Sequence, residues 1–228
     1  MYGGPPAFDD KETRGGPPLY RPGFGGFNAS VQSPKEKVAG VLLGTEIAST
    51  AYGAAESVWA SLFLRFGRFD FELSPKFRHE KGESAYVDTL FEDTPEEITV
   101  AGSLTLKGTV AFLRNLTLQF HAQLLNASAD YHHYGAVQPD GTLEPIVFRD
   151  EDGTLPEADF ARTDLVFQAL LRWEYLPGST LFLIYTHKGF VNIEQSDADI
   201  ADSIGGIADE QRQQIFMVKL SHRFGQGR

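Results

Sequence analysis

The stretch ITVAGSLTLKGTVAFLRNLTLQFHAQL, from Ile98 to Leu124, decides the fold. Apolar residues and glycines occupy its even positions up to Phe112, and polar residues occupy most of the odd ones. After the short connection Arg114-Asn115 the alternation resumes, with His121 and Gln123 on the polar parity. A period of two is that of a β-strand with one apolar and one polar face, so this stretch predicts an antiparallel hairpin.

The same alternation returns on both sides of this hairpin. Six further strands are expected, at 37–50, 58–66, 69–77, 165–175, 179–190 and 216–224. Residues 1–36 hold 7 of the 23 glycines and 6 of the 12 prolines, a density that disfavours a hydrogen-bonded ladder. The sequence therefore predicts an irregular N-terminal segment at 1–36, followed by an all-β domain of about eight strands at 37–228.

Composition excludes several classes of protein. The net charge of -11 argues against nucleic acid as a partner, because duplex binding depends on cations that contact phosphate. Without cysteine, disulfides and thiolate metal sites are excluded. No apolar run approaches the 18 or so residues of a membrane-spanning helix, and the first residues lack the pattern of a secretory signal.

The lengths of the connections alternate along the chain. Those near 67–68, 114–115 and 177–178 are tight, whereas roughly 80–97, 130–161 and 191–211 are long. Tight turns at one end and long loops at the other are typical of antiparallel, up-and-down transmembrane β-barrels of the bacterial outer membrane. We therefore expect such a barrel, either closed by these strands alone or forming part of a larger one.

Acidic residues are concentrated in the long connections, which hold 21 of the 31. The expected strands are left nearly free of carboxylates. A charge on a lipid-facing position costs about 2 to 4 kcal/mol at the middle of the bilayer, so this partition favours a membrane barrel.

Aromatic residues cluster at the expected strand ends. Trp173 and Tyr175 are predicted to form an interfacial girdle beside the tight turn Pro177-Gly178. The closing strand, with Phe216, Leu220 and Phe224 on one parity, is expected to be the strand that the barrel-assembly machinery recognises.

Polar-parity residues are predicted to face the interior of the barrel. They are Lys107, His121, Gln123, Asp164, Gln168, Arg172, Glu174, Lys219 and Arg223. Such a mixture fills a small barrel with a hydrogen-bonded network, or lines a channel in a large one.

Candidate chemistry is sparse. Asp150, Asp152 and Glu157 surround Gly153 in a pattern reminiscent of a calcium loop, although the glutamate comes too early for the twelve-residue geometry. They are weak candidates for loosely bound Ca²⁺ or Mg²⁺, and no other cofactor is expected. His132 and His133 are adjacent and would point to opposite faces of a strand, which disfavours a shared metal. No nucleophile elbow or paired catalytic motif is present, so the sequence does not predict an enzyme.

Four segments resemble a known family. They are FDDKETRGGPPLYRP (8–22), RFDFELSPKFRHEKGESAYVDTL (68–90), LRNLTLQFHAQLLNASADYHHYG (113–135) and LLRWEYLPGSTLFLIYTHKG (170–189). They are similar to a bacterial family of outer-membrane β-barrels of unknown function, usually found behind a carbohydrate-binding domain resembling family nine. The resemblance covers nearly the whole chain and implies the C-terminal part of such a protein.

These observations together predict a location and a role. We expect an outer-membrane barrel that serves passively as a pore or transport component, or as a membrane anchor for carbohydrate-binding modules. Its expected partners are membrane lipid, lipopolysaccharide, the barrel-assembly machinery and, through the associated modules, carbohydrate. The alternative is a soluble β-barrel or sandwich that binds a small apolar ligand, which the absence of a signal sequence favours.

Overall fold

The protein is all-β and antiparallel. The computed structural model describes residues 1–9, 16–34, 38–49, 53–82, 98–131, 134–146, 160–193 and 212–224. Its strands are β1 (Tyr2–Gly4), β2 (Ala7–Asp9), β3 (Leu19–Arg21), β4 (Phe24–Gln32), β5 (Ala39–Ser49), β6 (Ala54–Phe66), β7 (Phe69–Lys81), β8 (Ile98–Leu113), β9 (Leu116–Asp130), β10 (Tyr134–Val137), β11 (Leu143–Ile146), β12 (Phe160–Leu176), β13 (Ser179–Ile193) and β14 (Arg212–Ser221). No helix in this part of the chain is long and apolar enough to cross a membrane.

Ten of these strands form one sheet, in the order β1-β4-β5-β6-β7-β8-β9-β12-β13-β14. The pairs β2-β3 and β10-β11 are separate two-stranded sheets. Apart from β1, the strands of the large sheet follow one another along the chain as an antiparallel meander.

The tight connections lie at one end of the large sheet, which we call the turn end. Gly67 and Gly178 adopt φ values of 57° and 78° there, which glycine tolerates because it has no Cβ. A β-bulge at Ala111/Leu113 precedes the connection Arg114-Asn115, and another at Glu174/Leu176 precedes Pro177-Gly178. The connections after β5, β7, β9 and β13 all leave from the opposite end, which we call the loop end.

The large sheet is open. Pairing ends at β1 on one side and at β14 on the other, and no pair in the described residues joins these two edges. A closed barrel, one form of the expected architecture, is therefore not seen. Because every neighbouring pair is antiparallel, β4 and β14 run in the same direction. β1 covers only the first three residues of β4, Phe24 to Gly26, and leaves the outer edge from Phe27 to Gln32 unpaired.

The eight expected strands are present, with longer bounds for most of them. The N-terminal segment differs from the irregular structure expected for 1–36, because it contributes β1 and β4 to the large sheet as well as the β2-β3 pair. Glycine permits this arrangement: the ring of Tyr2 lies where a Cβ on Gly26 would be. The closing strand is shifted toward the N-terminus relative to the expected 216–224: it runs from Arg212 to Ser221, so Phe224 lies beyond it.

On β5 and β6 the exposure of the two faces is inverted relative to a soluble sheet. Along β5, the side chains of Val41, Leu43 and Ile47 are exposed, whereas the even positions between them are half-buried. On β6, Ser57 is 2% exposed and its neighbour Val58 is 53% exposed. At the loop end of β12 and β13 the order is reversed, because Ala161 and Val191 on the apolar face are each 3% exposed.

Candidate functional site

The register of the strands fixes which residues share a face. Lys107 is opposite Glu72 on β7 and His121 on β9, and His121 is opposite Gln168 on β12. Gln168 is in turn opposite Thr186 on β13. Directly opposed residues on neighbouring strands have Cβ atoms about 4.5 to 5.5 Å apart, so these five side chains form one polar row across the sheet.

The nine residues expected to face an interior all have the parity of this row, on the face that we call the polar face. They are Lys107, His121, Gln123, Asp164, Gln168, Arg172, Glu174, Lys219 and Arg223. The register assigns every member except Arg223, which lies two residues beyond the end of β14. Arg223 continues the parity of Lys219 and lies beside the turn, where its Cδ is 2.8 Å from the position of a Cβ on Gly178 and its backbone N–H donates to Ser179 Oγ at 3.0 Å.

The polar row lines a groove of about 530 Å³. Asp70, Glu72, Lys107, His121 and Gln168 contribute to its wall. This volume lies within the range of about 300 to 1,000 Å³ that small-molecule sites occupy. Donors and acceptors of both charge signs therefore meet in one groove.

A second groove of about 390 Å³ lies beside it over β6, β7 and β8. Ser61, Ser74 and Ser103 line it, together with Lys76 and Trp59. Ser61 Oγ and Ser74 Oγ are 2.8 Å apart, and Ser74 Oγ donates to Glu72 Oε1 at 3.0 Å. The two grooves are therefore connected by a chain of hydrogen bonds along the polar face.

Trp59 lies on the polar face and packs over the adjacent strand. Its indole ring approaches to 2.2 Å the point where a Cβ on Gly44 would stand, so only glycine leaves room for it. An aromatic ring that covers a cross-strand glycine stabilises the pair of strands. Trp59 therefore bounds the second groove on the side of β5.

Arginines of the polar face pair with carboxylates. The pairs are Arg65–Asp70 at 2.8 Å, Arg78–Glu80 at 2.7 Å, Arg162–Asp164 at 2.8 Å and Arg172–Glu174 at 3.4 Å. Three of the four join residues two apart on one strand, a spacing that places both side chains on the same face. Such partly exposed pairs contribute little stability, about 0 to 1 kcal/mol each, but they neutralise each other's charge.

Tyr2 ties the short edge strand β1 to the polar face. Its hydroxyl donates a hydrogen bond to Glu46 Oε1 across β4. Ser57, which is opposite Glu46 in the register, has a buried hydroxyl without a hydrogen-bond partner in the described residues. The loop end of the polar face is therefore built from residues that the sequence did not single out.

The apolar face, opposite the polar face, carries large exposed side chains on most strands of the sheet. They include Val41, Leu43, Ile47, Val58, Leu62, Leu64, Phe66, Phe69, Leu73, Phe77, Leu104, Leu106, Phe112, Trp173, Phe216, Val218 and Leu220. Only five apolar residues of the described chain are buried, and four of them are small or lie outside the large sheet: Leu19, Ala55, Ala129 and Ala161. No conventional hydrophobic core is formed by these residues.

Charged residues on the apolar face of the described strands lie only near the loop end. They are Glu56, Lys81, Asp130 and Arg212, each within three residues of a strand terminus. Between these charges and the turn end, the apolar face carries only uncharged side chains, from Val58 to Phe66 on β6 and from Phe69 to Phe77 on β7. Nine residues of strand span about 30 Å, or about 21 Å when tilted by 45°, which is close to the apolar band of about 25 Å in membrane barrels.

Aromatic rings join β12 to the chain end at the turn end of the apolar face. Trp173 packs on Tyr175, Tyr175 stacks on His222, and His222 contacts Phe224 with ring centroids 4.6 Å apart. The Tyr175 hydroxyl and His222 Nδ1 form a hydrogen bond of 2.8 Å. The four rings of this aromatic cluster include three of the residues singled out from the sequence, and His222 is the link between them.

The remaining candidates fall into two groups. Pro177 and Gly178 form the tight turn, where the N–H of Gly178 donates to Glu174 Oε1 at 3.0 Å. Phe216 and Leu220 are exposed on the edge strand β14. Asp150, Asp152 and Glu157, like His132 and His133, lie outside the described residues. Among the residues that the structure does describe, no group of three or more His, Asp or Glu side chains could hold a metal ion.

Fold and faces together define the class: an antiparallel, single-layer β-sheet with one polar face and one apolar face that carries large exposed side chains on most strands. Over residues 13–224 the chain matches the family described as a domain of unknown function, DUF5916, and it belongs to that family. The comparisons with curated proteins and with solved structures gave no match.

Proposed function

We propose that this chain is part of an outer-membrane β-barrel with a passive role, as a pore or transport component or as the membrane anchor of carbohydrate-binding modules. The observation that carries the proposal is the row of large exposed apolar side chains that one face carries on most strands of the sheet. An exposed apolar patch larger than a few hundred Å² marks a contact with another apolar phase. Lipid is the phase that would cover such a face on strand after strand.

Strand length supports the same proposal. β5 to β9 and β12 to β14 have between 10 and 17 residues. About 9 to 11 residues of tilted strand are enough to cross a bilayer. The surplus would place the charged residues of the apolar face beyond the hydrocarbon at the loop end.

Aromatic and charged residues support an orientation. The aromatic cluster at the turn end would lie at the periplasmic interface, as amphipathic rings do in membrane barrels. The loop end, with the acidic long connections, would face outward toward lipopolysaccharide. Loosely held Ca²⁺ or Mg²⁺ among those carboxylates belongs to this proposal.

Closure sets a condition on the intact barrel. Every backbone hydrogen-bonding group in the hydrocarbon must be satisfied, so the open edges at β4 and β14 need partners. These two strands run in the same direction, and an antiparallel barrel therefore needs an odd number of further full-length strands between them. We propose that the nine full-length strands, β4 to β9 and β12 to β14, form part of a larger barrel.

Two measurements test the membrane assignment. The folded protein should partition into detergent and should migrate differently on a gel before and after heating, because a closed barrel resists unfolding by the gel detergent. A monodisperse protein in plain buffer without detergent would contradict the proposal and favour a soluble barrel or sandwich.

A further inference from the structure

The polar face carries an excess of positive charge in a chain whose net charge is -11. In the described strands of the large sheet it holds eight lysine and arginine side chains and six carboxylates, and Arg223, just beyond β14, adds a ninth positive charge. Its balance is therefore +3, opposite in sign to that of the whole molecule.

The excess is made of side chains without an acidic partner. Four arginines neutralise four carboxylates, as described above. Lys76, Lys107, Lys188, Lys219 and Arg223 are exposed and make no ion pair with a carboxylate of the described chain. Lys219 instead places its ammonium group 5.9 Å from the centre of the Phe182 ring.

The two carboxylates outside the ion pairs are satisfied differently. Glu46 accepts a hydrogen bond from the Tyr2 hydroxyl, and Glu72 accepts one from Ser74 Oγ. Both are half-buried. The exposed cations therefore dominate what a solute meets on this face.

Resting on the barrel assignment proposed above, we propose that the polar face binds and passes small anions in preference to cations. A surface with an excess of one charge sign between low-dielectric walls concentrates ions of the opposite sign. Lys107 in the larger groove and Lys76 in the smaller one would provide successive binding positions. Lysine suits this role because its ammonium group offers three donors on a flexible stem without fixing one geometry.

The test replaces the four unpaired lysines by glutamine. Because glutamine is uncharged, the variant K76Q/K107Q/K188Q/K219Q changes the charge balance of the polar face from +3 to about -1. The matched control, R68Q/K81Q/R114Q/R212Q, removes four positive charges from the turns and the apolar face. A double variant, K107Q/K219Q, serves if the fourfold change prevents folding, which heat-modifiable migration would report.

Ion preference is read from the reversal potential of the full-length protein in a planar bilayer of zwitterionic lipid, under a gradient of KCl. We expect the unchanged protein to prefer chloride, and we expect the sign of the reversal potential to change in the lysine variant but not in the control. A preference for potassium in the unchanged protein, or equal shifts in the lysine variant and the control, would overturn the inference.

A second measurement separates this inference from the pore proposal. Binding of a trisulfonated pyrene dye to the detergent-solubilised protein is followed by fluorescence anisotropy at low ionic strength. If no conductance is found, dye binding that is lost in the lysine variant and kept in the control supports the anion site while the pore role fails. In that case, dye binding that is absent or unchanged in the lysine variant would overturn the inference itself.

Discussion

The two faces of the large sheet share one backbone and differ in the surroundings that they suit. On β6 the small polar Ser57 is shielded while the adjacent Val58 is open. In a soluble sheet the assignment would be the reverse, because burial of apolar area is the main favourable term in folding. The difference teaches that the apolar face of this protein gains its stabilisation from something outside the described chain.

The faces also differ in how they hold charge. The polar face distributes ion pairs and free lysines along its length, whereas the apolar face has charges only near the loop end. An apolar face packed against another protein domain has no reason to sort its charges by height. A bilayer would impose that order, as the proposed membrane location expects.

A charge placed in the middle of the apolar face should have the largest effect. Leu106→Arg is expected to lower the free energy of unfolding in lipid by about 2 to 4 kcal/mol, because the arginine would enter hydrocarbon. The measurement is urea unfolding in vesicles, followed by tryptophan fluorescence. Thr105→Arg, one residue away on the polar face, is the control and should cost much less. Equal losses would contradict the difference between the faces.

Packing within the apolar face can be tested at two glycines of β8. A Cβ on Gly108 would come within 2.3 Å of the Phe120 ring and 2.8 Å of the Phe71 ring, whereas one on Gly102 would meet nothing within 4 Å. Gly108→Ala should therefore cost about 1 to 3 kcal/mol through overpacking. Gly102→Ala, on the same strand and face, should be nearly neutral. If the unfolding midpoints of the two variants agree, the aromatic packing around Gly108 is not as described.

The aromatic cluster at the turn end should have a smaller effect. Tyr175→Phe removes the hydrogen bond with His222 and is expected to cost about 0.5 to 1.5 kcal/mol. Tyr185→Phe is the matched control, because the Tyr185 hydroxyl makes no hydrogen bond with the described chain while its ring packs on Phe167. Unfolding in lipid vesicles measures both. A larger loss for Tyr185→Phe would show that the link at His222 contributes nothing.

The smallest effect is expected outside both faces, in the β10-β11 hairpin. Hydrogen bonds from the Thr142 hydroxyl and backbone N–H lower the pKa of Asp140 below its ordinary value. A lowered folded-state pKa gives a stabilisation that is present above the unfolded-state pKa and is lost as the pH falls through the folded-state one. The protection factors of the amides in this hairpin, which are corrected for the slower intrinsic exchange in acid, should therefore fall as the pH falls, and Asp140→Asn should reduce this dependence. Unchanged acid dependence in Asp140→Asn would contradict the assignment.

Alternation along single strands was enough to predict eight strands and to sort their side chains. Residues two apart, such as Arg162 and Asp164, share a face whatever the rest of the fold does. The sequence therefore contained the polar face almost as the register assembles it.

Non-local pairing explains what the sequence did not predict. Phe27, Ala29 and Val31 alternate with polar residues in β4, but the surrounding glycines and prolines concealed that strand. Trp59 stands on a polar parity, and its place became clear only when the register set it beside Gly44. The same limit applies to closure, since the number of strands in the proposed barrel is not a property of any one strand.

The most direct test of the central claim uses the absence of cysteine from the chain. Single cysteines introduced at Ser61, Leu62, Phe63 and Leu64 of β6 would carry a spin label in lipid vesicles. Collision with oxygen, which concentrates in hydrocarbon, should be high at positions 62 and 64 and low at 61 and 63. Collision with a water-soluble nickel chelate should show the opposite alternation or be low throughout. High nickel accessibility at positions 62 and 64 would contradict the account.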